Sequence, residues 1–515
     1  MFAERLPVFS RNLPPRESRG KRKSRPPPQA SRRTGLPPLE NAGAALRPGL
    51  GLGTGEPRLR PATFPIGLEY PICYASSAVN PQGPIENEFT AGFGASPGKP
   101  VGPAMAETAA DKPEPVQEAD RIVAIDVLRG FALLGILVVN IQSFSMPDAA
   151  IFNPTAYGDL TGANRWVWYL THVLFEQKFM TIFSMLFGAG ILLMTGRVEE
   201  KGLRSAGLHY RRMAVLLGFG LVHAYLVWTG DILVCYACCG FLVYVFRKRD
   251  PRSLVTWGIG FVAVASVLSL FFGWSMSYWP ADSIEELAQA FSPSPATVTE
   301  TLDAYRGSWL SQAAYRAPNS FQSQTFVFLI WGFWRAGGLM LIGMALFKQN
   351  VFSAARSSRF YGGLVAAAIV VGIPAAIYGT WRNFEAHWDV RYAFFIGSQY
   401  NYWASILVSL GWVGLVMLAC KHGVLRTLTS RLAAVGRTAF TNYLAQSLIC
   451  TTIFYGHGLG LFGRVDRVVQ ALIVIGIWVL QLAVSPWWLA RFRFGPFEWA
   501  WRSLAYGKLQ PMRRR

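Results

Sequence analysis

The chain has 515 residues, 52% hydrophobic and 15% charged, where a soluble globular chain carries about a quarter charged residues. Its charges cluster between apolar stretches of about 17 to 25 residues, the length that crosses a hydrocarbon core. The alternation of a membrane barrel is missing, so neither a soluble domain nor a barrel fits. The net charge of +20 reads either as a nucleic-acid surface or as Lys and Arg facing an anionic leaflet; the clustering favours the leaflet, and no nucleic acid is expected.

Residues 1–104 hold 18 of the 31 prolines and a basic run, Arg16 to Arg25, with no apolar period. They read as a disordered tail. The basic run could serve as a nucleic-acid or lipid arm. The preferred reading is a start at Met105, followed by a polar leader over 105–120.

From there the sequence predicts an all-α, polytopic bundle of about ten membrane helices over 121–508, each satisfying its own backbone hydrogen bonds in lipid. The predicted spans are Val123 to Phe144, Phe179 to Thr195 (with an interfacial helix from Asn164), Met213 to Thr229, Ile232 to Phe246 and Leu254 to Tyr278. A polar stretch, Pro280 to Gln322, follows. The later spans are Phe326 to Phe347, Phe360 to Thr380, Tyr402 to Cys420, Leu432 to Phe454 and Val468 to Trp488, before a basic tail over 509–515. Basic residues recur in alternate connections, such as Arg197 to Arg212 and Arg247 to Arg252. Acids occupy the others, such as Asp148, Asp159 and Asp282 to Asp303. That alternation predicts both termini on the cytoplasmic side of the cell membrane.

Ionisable groups at membrane depth are costly and mark candidate function. Asp126 and Arg129 share a helix face at i, i+3, either as an interfacial anchor or as part of a site. Asn140 lies toward the outer end of the same helix. His172 and Glu176 are i, i+4 neighbours, and Lys178 is expected to point elsewhere; all three also fit an amphipathic interfacial helix. His223 precedes Asp231 by two turns. Arg335 cannot be neutralised, so it needs Glu176, Asp231 or an anionic ligand. Asn442 and Gln446 share a face that either links helices or binds substrate. Cys235 and Cys238 form a C-x-x-C without a second pair, which reads as packing rather than as a zinc or redox site, and no metal is expected.

Arg121 to Ile141, Lys178 to Gly190, Gly230 to Leu233, Gly436-Arg437 through Gly460 and Gly495-Pro496 through Gly507 together resemble the YeiB-like membrane proteins. The C-terminal part is similar to domain of unknown function 418. The opening helix also resembles that of the acyltransferase-3 and heparan glucosaminide acetyltransferase-like proteins, whose polar residue three turns after the Arg-Gly pair is a histidine in the former family; here it is Asn140. That resemblance implies a membrane acyltransferase with a donor such as acyl-CoA near Arg129 and Arg437 and a sugar or lipid acceptor. His223 or His172 would then be the general base, and Arg335 or Lys178 would stabilise negative charge. Asp126, Asn140, Glu176, Lys178, Asp231, Asn442 and Gln446 complete the expected binding set. The alternatives are a permease, with Asp231, Glu176 and Arg335 lining a polar path, and a non-catalytic lipid-binding or scaffold protein. Arg335 and His223 sit at similar depth and are expected to share one cavity.

Overall fold

A computed structural model describes residues 121–514. The tail, the Met105 start and the leader lie outside the described residues.

The chain opens with α1 (Val123–Ser145), the single turn α2 (Ala149–Phe152), α3 (Gly162–Leu174) and α4 (Lys178–Glu200). It continues through α5 (Ala206–Leu226), α6 (Leu233–Val243) and α7 (Pro251–Ser275). The polar stretch folds into α8 (Ala281–Phe291), α9 (Pro295–Arg306) and α10 (Trp309–Gln322). Then come α11 (Phe333–Lys348), α12 (Ser358–Ala367), α13 (Ile373–Glu385), the turn α14 (Val390–Tyr392) and α15 (Ser398–His422). The last elements are α16 (Arg426–Arg437), α17 (Ala439–Phe454), α18 (Arg467–Arg491) and α19 (Pro496–Tyr506). Local chemistry sets several starts: Asp250 accepts from the amides of Arg252 and Ser253 with Pro251 in the first turn, and Asp466 caps α18 through Val469.

The protein is a multi-pass helical membrane protein. Among the described residues, seven helical segments are long and apolar enough to cross a bilayer. The other three predicted spans fall on α5, on α6 with its 3-10 extension to Phe246, and on α17. The predicted span over Leu432 to Phe454 is two helices, broken at Thr438. The predicted sixth span is the second half of a continuous helix, Trp309–Lys348, with a π-helical stretch over Ser323–Gly332.

Burial separates the layers. In α1 67% of the apolar window is buried, against 22% in Ser358–Glu385 and 28% in α18, so α1 is central and the others form the rim. Rim side chains such as Phe271, Val370 and Val479 stay exposed, an apolar surface that suits lipid and not water. α4 and α11 cross at Gly188 and Gly343, where a Cβ would stand 2.0 Å from the carbonyl oxygens of Met340 and Met185. Small residues at such crossings let helix backbones touch.

Candidate functional site

The site begins with a second close crossing. A Cβ on Gly130 would meet the Leu432 carbonyl oxygen at 2.0 Å, and one on Gly436 would meet that of Asp126 at 1.9 Å. Backbone contact between α1 and α16 therefore brings together the residues beside those glycines, Arg129 and Arg437. Both line a cavity of about 260 Å³.

The cavity has two chemically different ends. Arg121, Arg129, Arg212, Arg437 and Arg502 line it, against the acids Asp126 and Glu498. Asp126 bonds Arg129 at 2.8 Å and approaches Arg121 at 3.5 Å. The Arg212 guanidinium lies 4.3 Å over the Trp501 ring. Burial and the neighbouring Arg212 and Arg121 push Arg502 down to about 10. Burial likewise lowers Arg121, and Arg437 and Arg129 nearby add to it despite Asp126. Crowded cations of this kind are relieved by an anion. Away from the arginines the lining is Leu133, Ile136, Phe183, Leu186, Leu216 and Leu233, with Tyr236 and Tyr443.

Glu498 shapes the arginine-rich end. It accepts from the backbone N–H groups of Phe440 (2.6 Å) and Thr441 (3.0 Å) and from the Thr441 hydroxyl. It thus caps α17 from a distant part of the chain and docks α19 against the cavity. Burial raises its pKa from the ordinary glutamate value, opposed by the bonds from Thr441 and Phe440.

Beyond Tyr443 lies a buried dyad. The Tyr443 ring centroid is 5.3 Å from the His223 imidazole. His223 Nδ1 donates to Asp231 Oδ2 at 2.7 Å, with side chains 2% and 0% exposed. Asp231 Oδ1 accepts from the amide of Val234, which orients the carboxylate. His223 Nε2 is buried and has no hydrogen-bond partner among the described residues. With the proton on Nδ1, Nε2 is left as a base.

A separate polar cluster surrounds the α3–α4 break. His172 Nδ1 pairs with Glu176 at 2.6 Å, as the spacing predicts. Lys178 does not point elsewhere: it donates to the His172 carbonyl oxygen at 2.6 Å and to Asn401, which itself reaches Glu176. Gln177, with φ +64°, interrupts the helix and resets the phase that would turn Lys178 away. Arg335 bonds Ser405, Thr181 and the Tyr402 carbonyl oxygen, and its hydrogen bonds include neither Glu176 nor Asp231. Arg335 and His223 therefore have different partners, and neither lines the cavity. Equal depth along two helices did not bring them onto one facing surface.

Asn442 donates to Ser485 (3.0 Å) and Thr438 (2.9 Å), and Gln446 donates to Gln481 (2.9 Å), which returns a bond to the Asn442 carbonyl oxygen. These residues link α17 to α18. Asn140 is half-buried and does not line the cavity. Cys235, Cys238 and Cys239 are free thiols on α6. Residue-by-residue reading missed Arg121, Arg212, Arg502, Glu498, Tyr236 and Tyr443. The signal for four of them was present, since Arg121, Tyr443, Glu498 and Arg502 fall in the long motifs quoted above.

Residues 346–508 match the family model described as "Protein of unknown function (DUF418)". The chain is 32% identical over 419 residues to the uncharacterized protein YxaH of Bacillus subtilis (strain 168), spanning 98% of that protein and 78% of this chain. The chain belongs to the DUF418 family. It is also 31% identical over 396 residues to the uncharacterized protein YeiB of Escherichia coli (strain K12), covering 96% of YeiB and 75% of this chain. A further relative, an uncharacterized 39.9 kDa protein in the amylase 3′ region of Bacillus acidopullulyticus, is 25% identical over 402 residues, 98% of its length and 78% of this chain.

Proposed function

We propose that this DUF418 protein is an acyltransferase of the cell membrane. The observation that carries the reading is a cavity with five arginines at one end and the His223–Asp231 dyad one aromatic layer beyond its apolar end. An acyl thioester with a phosphate-bearing head, such as acyl-CoA, matches both ends. Its phosphates pair with the arginines by charge-assisted hydrogen bonds, and its thioester lies along the apolar wall toward Tyr443.

His223 Nε2 takes the proton of an acceptor hydroxyl on a sugar or lipid. The acceptor oxygen forms its bond to the thioester carbonyl carbon, the carbon–sulfur bond breaks, and the departing sulfur receives the proton from the imidazolium. Asp231 holds the tautomer and offsets the transient positive charge. Tyr443, beside the imidazole, takes the role of oxyanion donor that sequence reasoning gave to Arg335 or Lys178.

The test is transfer of a labelled acyl group from acyl-CoA to membrane sugars and lipids by the purified protein. His223→Gln, which keeps hydrogen bonding but cannot act as base, is expected to lose about 10²–10⁴-fold in rate, with an unchanged melting temperature. Wild-type protein that transfers no acyl group but co-purifies with an unmodified anionic solute would reject acyl transfer in favour of a permease.

A further inference from the structure

A lysine and an arginine lie in the interior of the bundle beside one carboxylate, outside the lining of the arginine-rich cavity. Lys178 and Arg335 are both 0% exposed, and both lie within candidate membrane spans. Phe183, the first cavity residue on α4, is five residues beyond Lys178, about 7.5 Å along the helix axis.

Arg335 donates to Ser405 Oγ (2.7 Å), Thr181 Oγ1 (3.3 Å) and the Tyr402 carbonyl oxygen (3.3 Å), all neutral. Its guanidinium lies 4.1 Å from the centroid of the Tyr402 ring. Its buried Nε has no hydrogen-bond partner among the described residues. Lys178 donates to the His172 carbonyl oxygen and to Asn401. Thr181 follows Lys178 by one turn of α4, and Ser405 follows Asn401 by one turn of α15. Both cations therefore face the same α4–α15 interface. Glu176 is the one carboxylate bonded to this group among the described residues, and it is already paired with His172.

A buried charge must be paired, and an arginine cannot shed its proton. Arg335 bonds only to neutral groups, so its charge has no bonded counter-charge, and its free Nε supplies a donor for one. We propose that Arg335 and Lys178 form a site for a monovalent anion, a halide or a small carboxylate, reached past Glu176, whose side chain is 24% exposed. The site is independent of the acyl-transfer reading.

The experiment is the melting temperature of the full-length protein in detergent at constant ionic strength. Bromide or acetate is titrated against a bulky sulfonate. The wild type should show a saturable rise. Lys178→Met and Arg335→Gln should each raise the half-saturating concentration about tenfold or more, the loss of one charge-assisted bond. A response to bromide assigns an inorganic ion, and a response to acetate alone assigns a carboxylate; both support the site. Should Arg335→Gln not fold, Lys178→Met carries the test. A wild-type melting temperature indifferent to both anions, or the same dependence in Lys178→Met, overturns the proposal.

Discussion

His223 illustrates how one side chain's neighbours decide its chemistry. A lone membrane histidine is most simply a packing residue. The bond from Nδ1 to Asp231 and the unbonded Nε2 turn this one into an oriented base. Asp231→Asn removes the acceptor that selects this tautomer, so transfer is expected to fall by about 10²-fold or more and its pH profile to change, while the melting temperature moves little. Asp148 gives a prediction about stability. It lies between α1 and α3, where burial pushes its carboxyl up to about 6. A carboxyl whose folded pKa exceeds its unfolded value of 3.8 favours folding most below that value, and loses the contribution as pH rises through about 6. The melting temperature should therefore drop between pH 4 and pH 7, and Asp148→Asn should flatten that part of the profile. An unaltered profile in the variant would assign the dependence elsewhere.

At the scale of elements, the junction of α16 and α17 holds the cavity together. The sequence over Leu432 to Phe454 is apolar enough to read as one span, because hydropathy carries no information about a carboxylate that arrives from residue 498. Glu498 occupies the first amides of α17 and makes the break at Thr438 stable. Glu498→Ala leaves those donors without an acceptor and is expected to cost about 1–3 kcal/mol in denaturation. Glu498→Gln keeps one acceptor oxygen and should recover most of that loss; equal losses in both would show that the ionised carboxylate itself is required. The glycine crossing makes a companion prediction. Gly436→Ala places a methyl group against the Asp126 carbonyl oxygen, so overpacking should lower stability by about 1–3 kcal/mol and widen the gap between Arg129 and Arg437. Acyl-donor affinity should fall with it, measured by isothermal titration.

At the scale of the whole molecule, the placement of charge bears on orientation. Arg121, just before α1, and Arg502, in the final helix, line the same cavity, so the start of the described chain and its C-terminal helix share one side of the bundle. With basic loops facing the cytoplasm, a cysteine at exposed Ser308 in a cysteine-free background should react with an impermeant thiol reagent in intact cells. One at exposed Lys201 should react only after lysis. The reverse pattern would invert the protein in the membrane.

What the sequence alone determined was whatever one helix decides by itself: that the apolar runs are helices, where most of them lie, and that His172 meets Glu176 one turn away. It also carried the family, through motifs long enough to be specific. Its reading failed where two distant segments meet. Lys178 met Asn401, which also bonds Glu176, because Gln177 breaks the helix, and Arg335 and His223 parted although their depths agree. The tertiary structure alone added Arg121, just ahead of α1, Arg212 of α5 and Arg502 of α19 to Arg129 and Arg437 in one cavity. The reason is geometric. Hydropathy and periodicity fix which residues share a helix face, but which faces meet depends on small residues at crossings and on caps supplied from far along the chain.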